Sequence, residues 1–371
     1  MLQNPQQQHP HLFSPFTIRS VTLRNRIMVS PMCQYSSENG FVNDWHLVHL
    51  GAFATGGAAI VMTEATAVEA RGRISPADIG IWHDDFIPGL QQITRFITEH
   101  GAAPAIQLAH AGRKAGVASP WKGGKLASAA EGGWPDAIIG PSALAFHDGY
   151  ATPNAMTAED CADVIQAFVQ AAQRAVAAGF TILEIHAAHG YLLHQFLSPA
   201  ANHRTDAFGG DLHGRAKLLL DTTAAVRSAV GEDVPIFVRI SATDWLPTGE
   251  GFDIDEAVKV SGMLRKVGAD VIDVSSGGLS PRQQIQDGPG YQVPFASNIK
   301  QHAEIPVAAV GRITDPEQAN EIITSGKADF VAMARELLRN PHWPLLAAHE
   351  LGWDSAVWPN QYLRAKPTRI K

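Results

Sequence analysis

The sequence is short of cysteine, of charge and of long apolar runs. Two cysteines, Cys33 and Cys161, occur among 371 residues. Two cannot build a disulfide framework, so a reducing, cytoplasmic setting is expected. Charged residues make up 18% of the chain and the net charge is −7. That is below the usual ~25% charged, and an acidic surface argues against a nucleic-acid partner. The longest apolar stretches, such as Ala58–Met62, fall far short of the ~20 residues a spanning helix needs, so no membrane partner is expected. A G-x-G-x-x-G turn, a P-loop and an H-E-x-x-H helix are all missing, which removes the usual signatures of a dinucleotide domain, a nucleotide triphosphatase and a zinc protease. Residues 1–12 carry no basic segment and no apolar segment of a secretory signal. They are expected to form a mobile leader before a single domain over 13–371.

What the chain does have is a repeating alternation. Eight short apolar runs read as strands: Arg26–Ser30, Ala59–Glu64, Pro104–Ala109, Thr181–His186, Ile236–Ser241, Val271–Ser275, Pro306–Val310 and Phe330–Met333. Between them lie amphipathic stretches: Asp44–Thr55, Asp85–Glu99, Ala158–Ala178, Gly214–Val230, Asp255–Val267, Pro294–His302, Asp315–Ser325 and a last one near Trp343–Leu351. Thr157, Asp253 and Thr314 stand where helix N-caps belong. Strands alternating with helices call for a parallel sheet. Eight such units in this length predict an α/β fold of the (β/α)₈ TIM-barrel type, in preference to a doubly wound open sheet. One insertion, Ala111–Asn154, separates the third strand from its helix. A loop that long is usually functional or disordered, and here it is predicted to lie over the catalytic end.

Alternate residues of a barrel strand face the axis, and active sites form at the strands' C-terminal ends. Parity therefore aims Glu64, Gln107, Glu184, His186, Arg239, Asp273 and Ser275 inward. An arginine, a glutamine and a histidine in a barrel core cost desolvation unless something polar receives them. Either they satisfy one another, for instance Arg239 with Glu184, or a polar, planar ligand lies across the mouth. His186 and His189 form an H-x-x-H pair. A zinc site would need a third ligand, for which only Asp44 and His46 could be nominated, so no metal is predicted. The histidines, followed by Tyr191, read as donors converging on an oxygen. Barrels also hold phosphate beside the loops after strands seven and eight. Those strands end in Val310-Gly311-Arg312 and Met333-Ala334-Arg335.

Segments along nearly the whole chain resemble the Old Yellow Enzyme family of FMN-dependent ene-reductases, in particular the bacterial class that includes the xenobiotic reductases. They include Ser30-Pro31-Met32-Cys33-Gln34-Tyr35, Thr63-Glu64-Ala65-Thr66, Gln107-Leu108-Ala109-His110-Ala111-Gly112-Arg113-Lys114, Glu184-Ile185-His186-Ala187-Ala188-His189-Gly190-Tyr191 and Glu336-Leu337-Leu338-Arg339-Asn340-Pro341. The resemblance implies non-covalent FMN, reduced by NADPH or NADH. It implies that Pro31, Met32 and Cys33 line the flavin, that Ala65 contacts its ring, that Gln107 bonds its pyrimidine side and that Arg239 faces N1 and O2. Ser276, Gly278, Gly311, Arg312, Ala334 and Arg335 would surround the phosphate. At Ala334 the family has glycine. His186 and His189 would bind a substrate carbonyl, Tyr191 would supply a proton, and Tyr35 would cap the substrate. Tyr362-Leu363-Arg364 resembles a tail that reaches a neighbouring subunit, which implies a homodimer or homotetramer with Arg364 in the partner's pocket.

The implied activity is NAD(P)H-dependent reduction of activated C=C bonds in enones, with nitro compounds as further substrates. Two rivals predict different behaviour. A hydrolase using Glu64 and Glu184 as paired carboxylates would be colourless. A regulatory flavin-binding barrel would be yellow but would not turn over.

Overall fold

The computed structural model describes residues 10–353 and 358–368. Eight parallel strands close a barrel in chain order. They are β1 Ile27–Val29, β2 Ile60–Ala67, β3 Ala103–Ala109, β4 Ile182–Ala187, β5 Ile236–Ser241, β6 Val271–Ser275, β7 Val307–Ala309 and β8 Phe330–Met333. The intervening helices are α1 Asp44–Thr55, α2 Ile87–Glu99, α3 Ala158–Ala177, α4 Leu212–Val230, α5 Ile254–Lys266, α6 Val293–Ala303, α7 Pro316–Thr324 and α8 Trp343–Glu350. Each predicted strand and helix is present. The caps fall close to where composition put them. Thr157 Oγ1 accepts the Asp160 N–H and Asp253 Oδ1 accepts the Glu256 N–H. At α7 the cap is Asp315, one residue past the expected Thr314.

The barrel interior is apolar at one end and polar at the other. Met28, Ile60, Met62, Ile182, Phe237, Val271 and Phe330 fill the N-terminal half. An antiparallel hairpin, Phe16–Ile18 with Val21–Leu23, closes that end with Ile18 and Leu23. Each strand of this hairpin is three residues with a central threonine, FTI and VTL, so neither offers an unbroken apolar run to the sequence reading. The outward residues of the same strands, among them Leu183, Ile185, Val238 and Ile240, join the larger core shared with the helices. One register pairing after another places polar residues above the apolar plug. Gln107 lies beside Glu184, His186 beside Arg239, and Arg239 beside Asp273.

One expectation needs correction. Glu64 does not face the mouth. The pairing of β2 with β3 shifts between Met62 and Ala65, and such an irregularity re-aims the side chains beyond it. Ala65 takes the inward position, while Glu64 turns toward α1, 3.2 Å from His46 Nε2 and accepting the Gln34 N–H. Of the expected leader, residues 1–9 lie outside the described residues. His11 stacks on Trp353, and Leu12 is fully buried with its N–H donated to Asn320.

The insertion after β3 is folded. Its Leu126, Trp134, Tyr150 and Ala151 pack with Cys33, Tyr35 and Tyr191 into a separate apolar cluster, over the β3–β4 side of the catalytic end. Phe237 anchors the opposite, apolar end of the barrel. Phe237→Ala is expected to cost about 3–5 kcal/mol through lost burial and the cavity left behind, measured by chemical denaturation. A loss below about 1 kcal/mol would mean that the plug repacks freely.

Candidate active site

A cavity of about 520 Å³ opens at the C-terminal ends of the strands. Its floor is the polar row above the plug. Gln107 Nε2 donates to Glu184 Oε1 at 2.8 Å, and Arg239 Nε lies 3.2 Å from Asp273 Oδ2. Arg239 is 4% exposed and Glu184 and Asp273 are fully buried. Burial pushes the Glu184 carboxyl well above its usual range, and the neighbouring Asp273 pushes it further.

One wall comes from the turn after β4. The His186 ring lies 5.1 Å from those of both His189 and Tyr191, at steep angles to each. His189 has a positive φ of 58°, and its fixings show why the turn holds. The His189 N–H donates to Ser241 Oγ at 2.9 Å, and His189 Nε2 sits 2.7 Å from Ser275 Oγ. The Gly190 N–H donates to His194 Nδ1, whose Nε2 lies 2.9 Å from Asp244 Oδ1 in a fully buried pair. Position 190 must be glycine. Its φ is +74°, and a Cβ there would meet Gly278 O at 2.1 Å. Burial, then the Arg239 charge, holds both His186 and His189 well below the ordinary imidazole value. They are therefore neutral at pH 7, each keeping one N–H to donate. Burial, then Cys33 and Tyr35, pushes the Tyr191 phenol up, so it keeps its proton. The Cys33 thiol is likewise raised by burial, then by Asp78 and Glu64, and is no thiolate nucleophile.

The far end of the cavity brings two arginines, Arg312 and Arg335, beside Gly311. Gly311 adopts φ +135°, where a Cβ would press on the Tyr291 ring at 3.1 Å. Arg312 pairs with Asp287 at 2.9 Å. Arg335 lines the cavity and has no carboxylate partner among the described residues. Ala334 sits between it and β8 on the same wall, so the alanine methyl is accommodated beside the arginines.

Of the seventeen residues that the resemblance assigned to cofactor or substrate, Pro31, Cys33, Ala65, Gln107, His186, His189, Tyr191, Arg239, Gly311, Arg312, Ala334 and Arg335 line this one cavity. Five do not. Met32 packs against the core. Tyr35 stands edge-on to Trp121, 5.7 Å away. The Ser276 hydroxyl is taken by Gln292 Oε1 at 2.5 Å. Gly278 has its N–H on Gln283 and its carbonyl on Lys114. Arg364 is exposed on a turn, Asn360–Ala365, and does not line the protomer's own cavity. Sequence reasoning missed Pro289, Tyr291 and Gln292, which line the cavity from the loop before α6. Strand parity says nothing of loop residues. It also missed Lys114, whose Nζ donates to His189 O at 2.8 Å and Gly278 O at 3.0 Å, 4.9 Å from the Tyr191 ring.

The cavity thus joins an arginine-bearing polar floor, neutral hydrogen-bond donors on one wall and an unpaired cation beside a tight glycine. That set fits a flavin mononucleotide. Among the described residues, His186 Nδ1 is buried with no hydrogen-bond partner, and a planar ring with polar edges would supply one. Fold and site define a flavin-dependent barrel oxidoreductase. Residues 11–353 match the family described as NADH:flavin oxidoreductase / NADH oxidase. An NADPH dehydrogenase of Geobacillus sp. (strain WCH70) is 48% identical over 92% of this chain and 94% of its own. One from Geobacillus thermodenitrificans (strain NG80-2) is 47% identical over 95% and 98%. Among solved structures, morphinone reductase in complex with tetrahydroNAD superposes with a TM-score of 0.75 at 25% identity, covering 93% of this chain and 91% of that one. A 2-naphthoyl-CoA reductase complex superposes with a TM-score of 0.82 at 26% identity, and the present chain, 92% of it covered, spans about half of it (52%). The chain belongs to the NADH:flavin oxidoreductase family, that of Old Yellow Enzyme. It is an FMN-dependent enzyme that takes its electrons from a reduced nicotinamide.

Lys114 gives the site a signature in stability. Burial, then Arg113, lowers its ammonium from 10.5 to about 8. Between those values the unfolded chain holds the proton and the folded chain does not, so stability rises with pH across that window. Lys114→Met is expected to flatten the rise, read as denaturation midpoints at pH about 8 and about 10. An unchanged slope would mean that Lys114 titrates as it does in water.

Proposed function

We propose that the enzyme reduces the activated C=C bond of α,β-unsaturated carbonyl compounds, and of nitro compounds, at the face of the flavin toward His186 and His189. The observation that carries this reading is the cluster of His186, His189 and Tyr191 on one wall of the cavity, the His186 ring 5.1 Å from each of the other two. FMN, when bound and reduced by NADPH or NADH, would supply the hydride. Pro31, Cys33 and Ala65 would line its ring. Gln107 and Arg239 would meet the pyrimidine edge, where negative charge collects on reduction. Gly311, Arg312, Ala334 and Arg335 would hold the phosphate, with Ser276 and Gly278 shaping the adjoining loop.

His186 and His189 would each donate an N–H to the substrate carbonyl oxygen. Charge develops on that oxygen as the β-carbon accepts hydride, so fixed donors help the transition state more than the ground state. Two neutral imidazoles can do this without first losing a proton. Tyr191 would deliver a proton to the α-carbon as general acid. Its raised position favours holding the proton until the carbanionic carbon develops. Tyr35 and the Trp121 stacked against its edge would close the substrate side. The separation of Glu64 from Glu184 by the β2 irregularity removes the paired carboxylates that a hydrolase reading required.

We further propose that the exposed Tyr362, Leu363 and Arg364 engage a second copy in a homodimer or homotetramer, Arg364 entering its partner's cavity. Cys33 and Cys161 are both free, in keeping with a cytoplasmic setting.

The double substitution His186→Ala, His189→Ala is expected to lower kcat/KM for 2-cyclohexenone by about 10²–10³ per donor lost and to abolish the charge-transfer band with phenols, with flavin still bound. Turnover at the parent rate would refute the carbonyl site. Tyr191→Phe is expected to slow the enone half-reaction by about 10²–10⁴ in stopped flow, leaving reduction by NADPH unaffected. Equal slowing of both half-reactions would remove its role as acid. Arg364→Ala is expected to raise KM for the enone in an oligomer. Full activity in a monomer on gel filtration would end the shared-site idea.

A further inference from the structure

Beneath the cavity lies a sealed cluster that no step above uses. Glu184 on β4 and Asp273 on β6 both point inward from the two strands that flank β5, and a hydrogen bond joins their side chains. Arg239, on the strand between them, is the cation within reach. Among the described residues, no other side chain or backbone group offers Glu184 Oε2 or either Asp273 oxygen a donor of good geometry. Two ionised carboxylates cannot sit in contact in a dry interior, and one guanidinium balances only one of them. The donor absent from the contact is a proton between the two acids.

We propose that Glu184 and Asp273 share one proton, making Arg239–Asp273–Glu184 a neutral cluster that positions the flavin's pyrimidine-binding groups and limits the positive charge the flavin meets. Both acids are positioning residues. Glu184 Oε1 takes the Gln107 Nε2–H, so Gln107 must present its other amide atom, the acceptor Oε1, to the cavity. That atom suits the ring N–H of a flavin rather than its carbonyls. Asp273 holds Arg239 from below, and the guanidinium shares its charge between this anion and whatever lies above. The inference rests on flavin filling the cavity, which the first control below tests separately.

The test uses the holoenzyme and three variants: Glu184→Gln, Asp273→Asn and the double. Either single change leaves one carboxyl, which ionises against Arg239 and keeps the cluster neutral. The flavin midpoint potential of each single variant is therefore expected to stay within a threefold change in the relative binding of oxidised and reduced flavin. The double change strips Arg239 of any counter-charge. It is expected to favour the reduced, anionic flavin at least tenfold, about 30 mV upward for a two-electron couple, and to tighten sulfite addition in parallel. Additive shifts in the two single variants, or an unmoved potential in the double, would overturn the proposal. Infrared difference spectra of wild type against each single variant give a second reading that needs neither flavin nor the double variant. Both are expected to show loss of the same protonated-carboxyl stretch. A stretch that survives in Asp273→Asn would also overturn the shared proton. If the wild type itself bound no flavin, the cofactor assignment would fail, while the infrared result would still decide the acid pair.

Discussion

The active end of this barrel depends on one buried positive charge. Arg239 projects from β5 into a space that eight parallel strands would otherwise fill with aliphatic side chains, as they do one layer below. A guanidinium in that position costs several kcal/mol in lost hydration unless it is paired. Its partners here are Asp273 beneath it and, above, an open cavity whose remaining walls are polar at fixed points. The site and the plug are thus two halves of one interior. The apolar half closes the fold, and the polar half would be destabilising without a ligand to complete it. A pyrimidine-like edge that accumulates negative charge on reduction is the complement such a floor requires.

The same cation organises the titration of its neighbours. It helps to keep His186 and His189 neutral and it offsets the acids below. Neutral donors matter because an imidazolium would bind an anionic product tightly and lose the advantage of responding only as charge develops. The turn bearing His189, Gly190 and Tyr191 is strained and over-determined. Ser241, Ser275 and the buried His194–Asp244 pair fix it from three elements. Rigid placement of this kind is what lets a loop carry catalysis on a barrel scaffold.

Much of this was legible in the sequence. Strand–helix alternation pointed to the barrel, since each apolar run read from the sequence spans four to six residues. Parity alone picked out Gln107, Glu184, His186 and Arg239, because polar residues at inward positions have no other ready explanation. Parity failed at Glu64, where an irregularity in β2 inverted the alternation, and a slip of this sort leaves no mark in composition. It was silent on Tyr291, Gln292 and Lys114, which reach the site from loops. The family resemblance pointed to Cys33 and Ala65, which line the cavity. It also pointed to Ser276 and Gly278, which bond to Gln292, Gln283 and Lys114. Arg364 lies beyond what one chain can display, because its proposed site belongs to another copy.

The central claim is that the polar floor exists to receive an electron-accepting ring. It is tested most directly by denaturing pure, cofactor-supplied protein and identifying what is released. The account expects FMN, one per chain, with loss of the bound flavin spectrum. A correctly folded preparation, supplied with FMN, that releases none would contradict it.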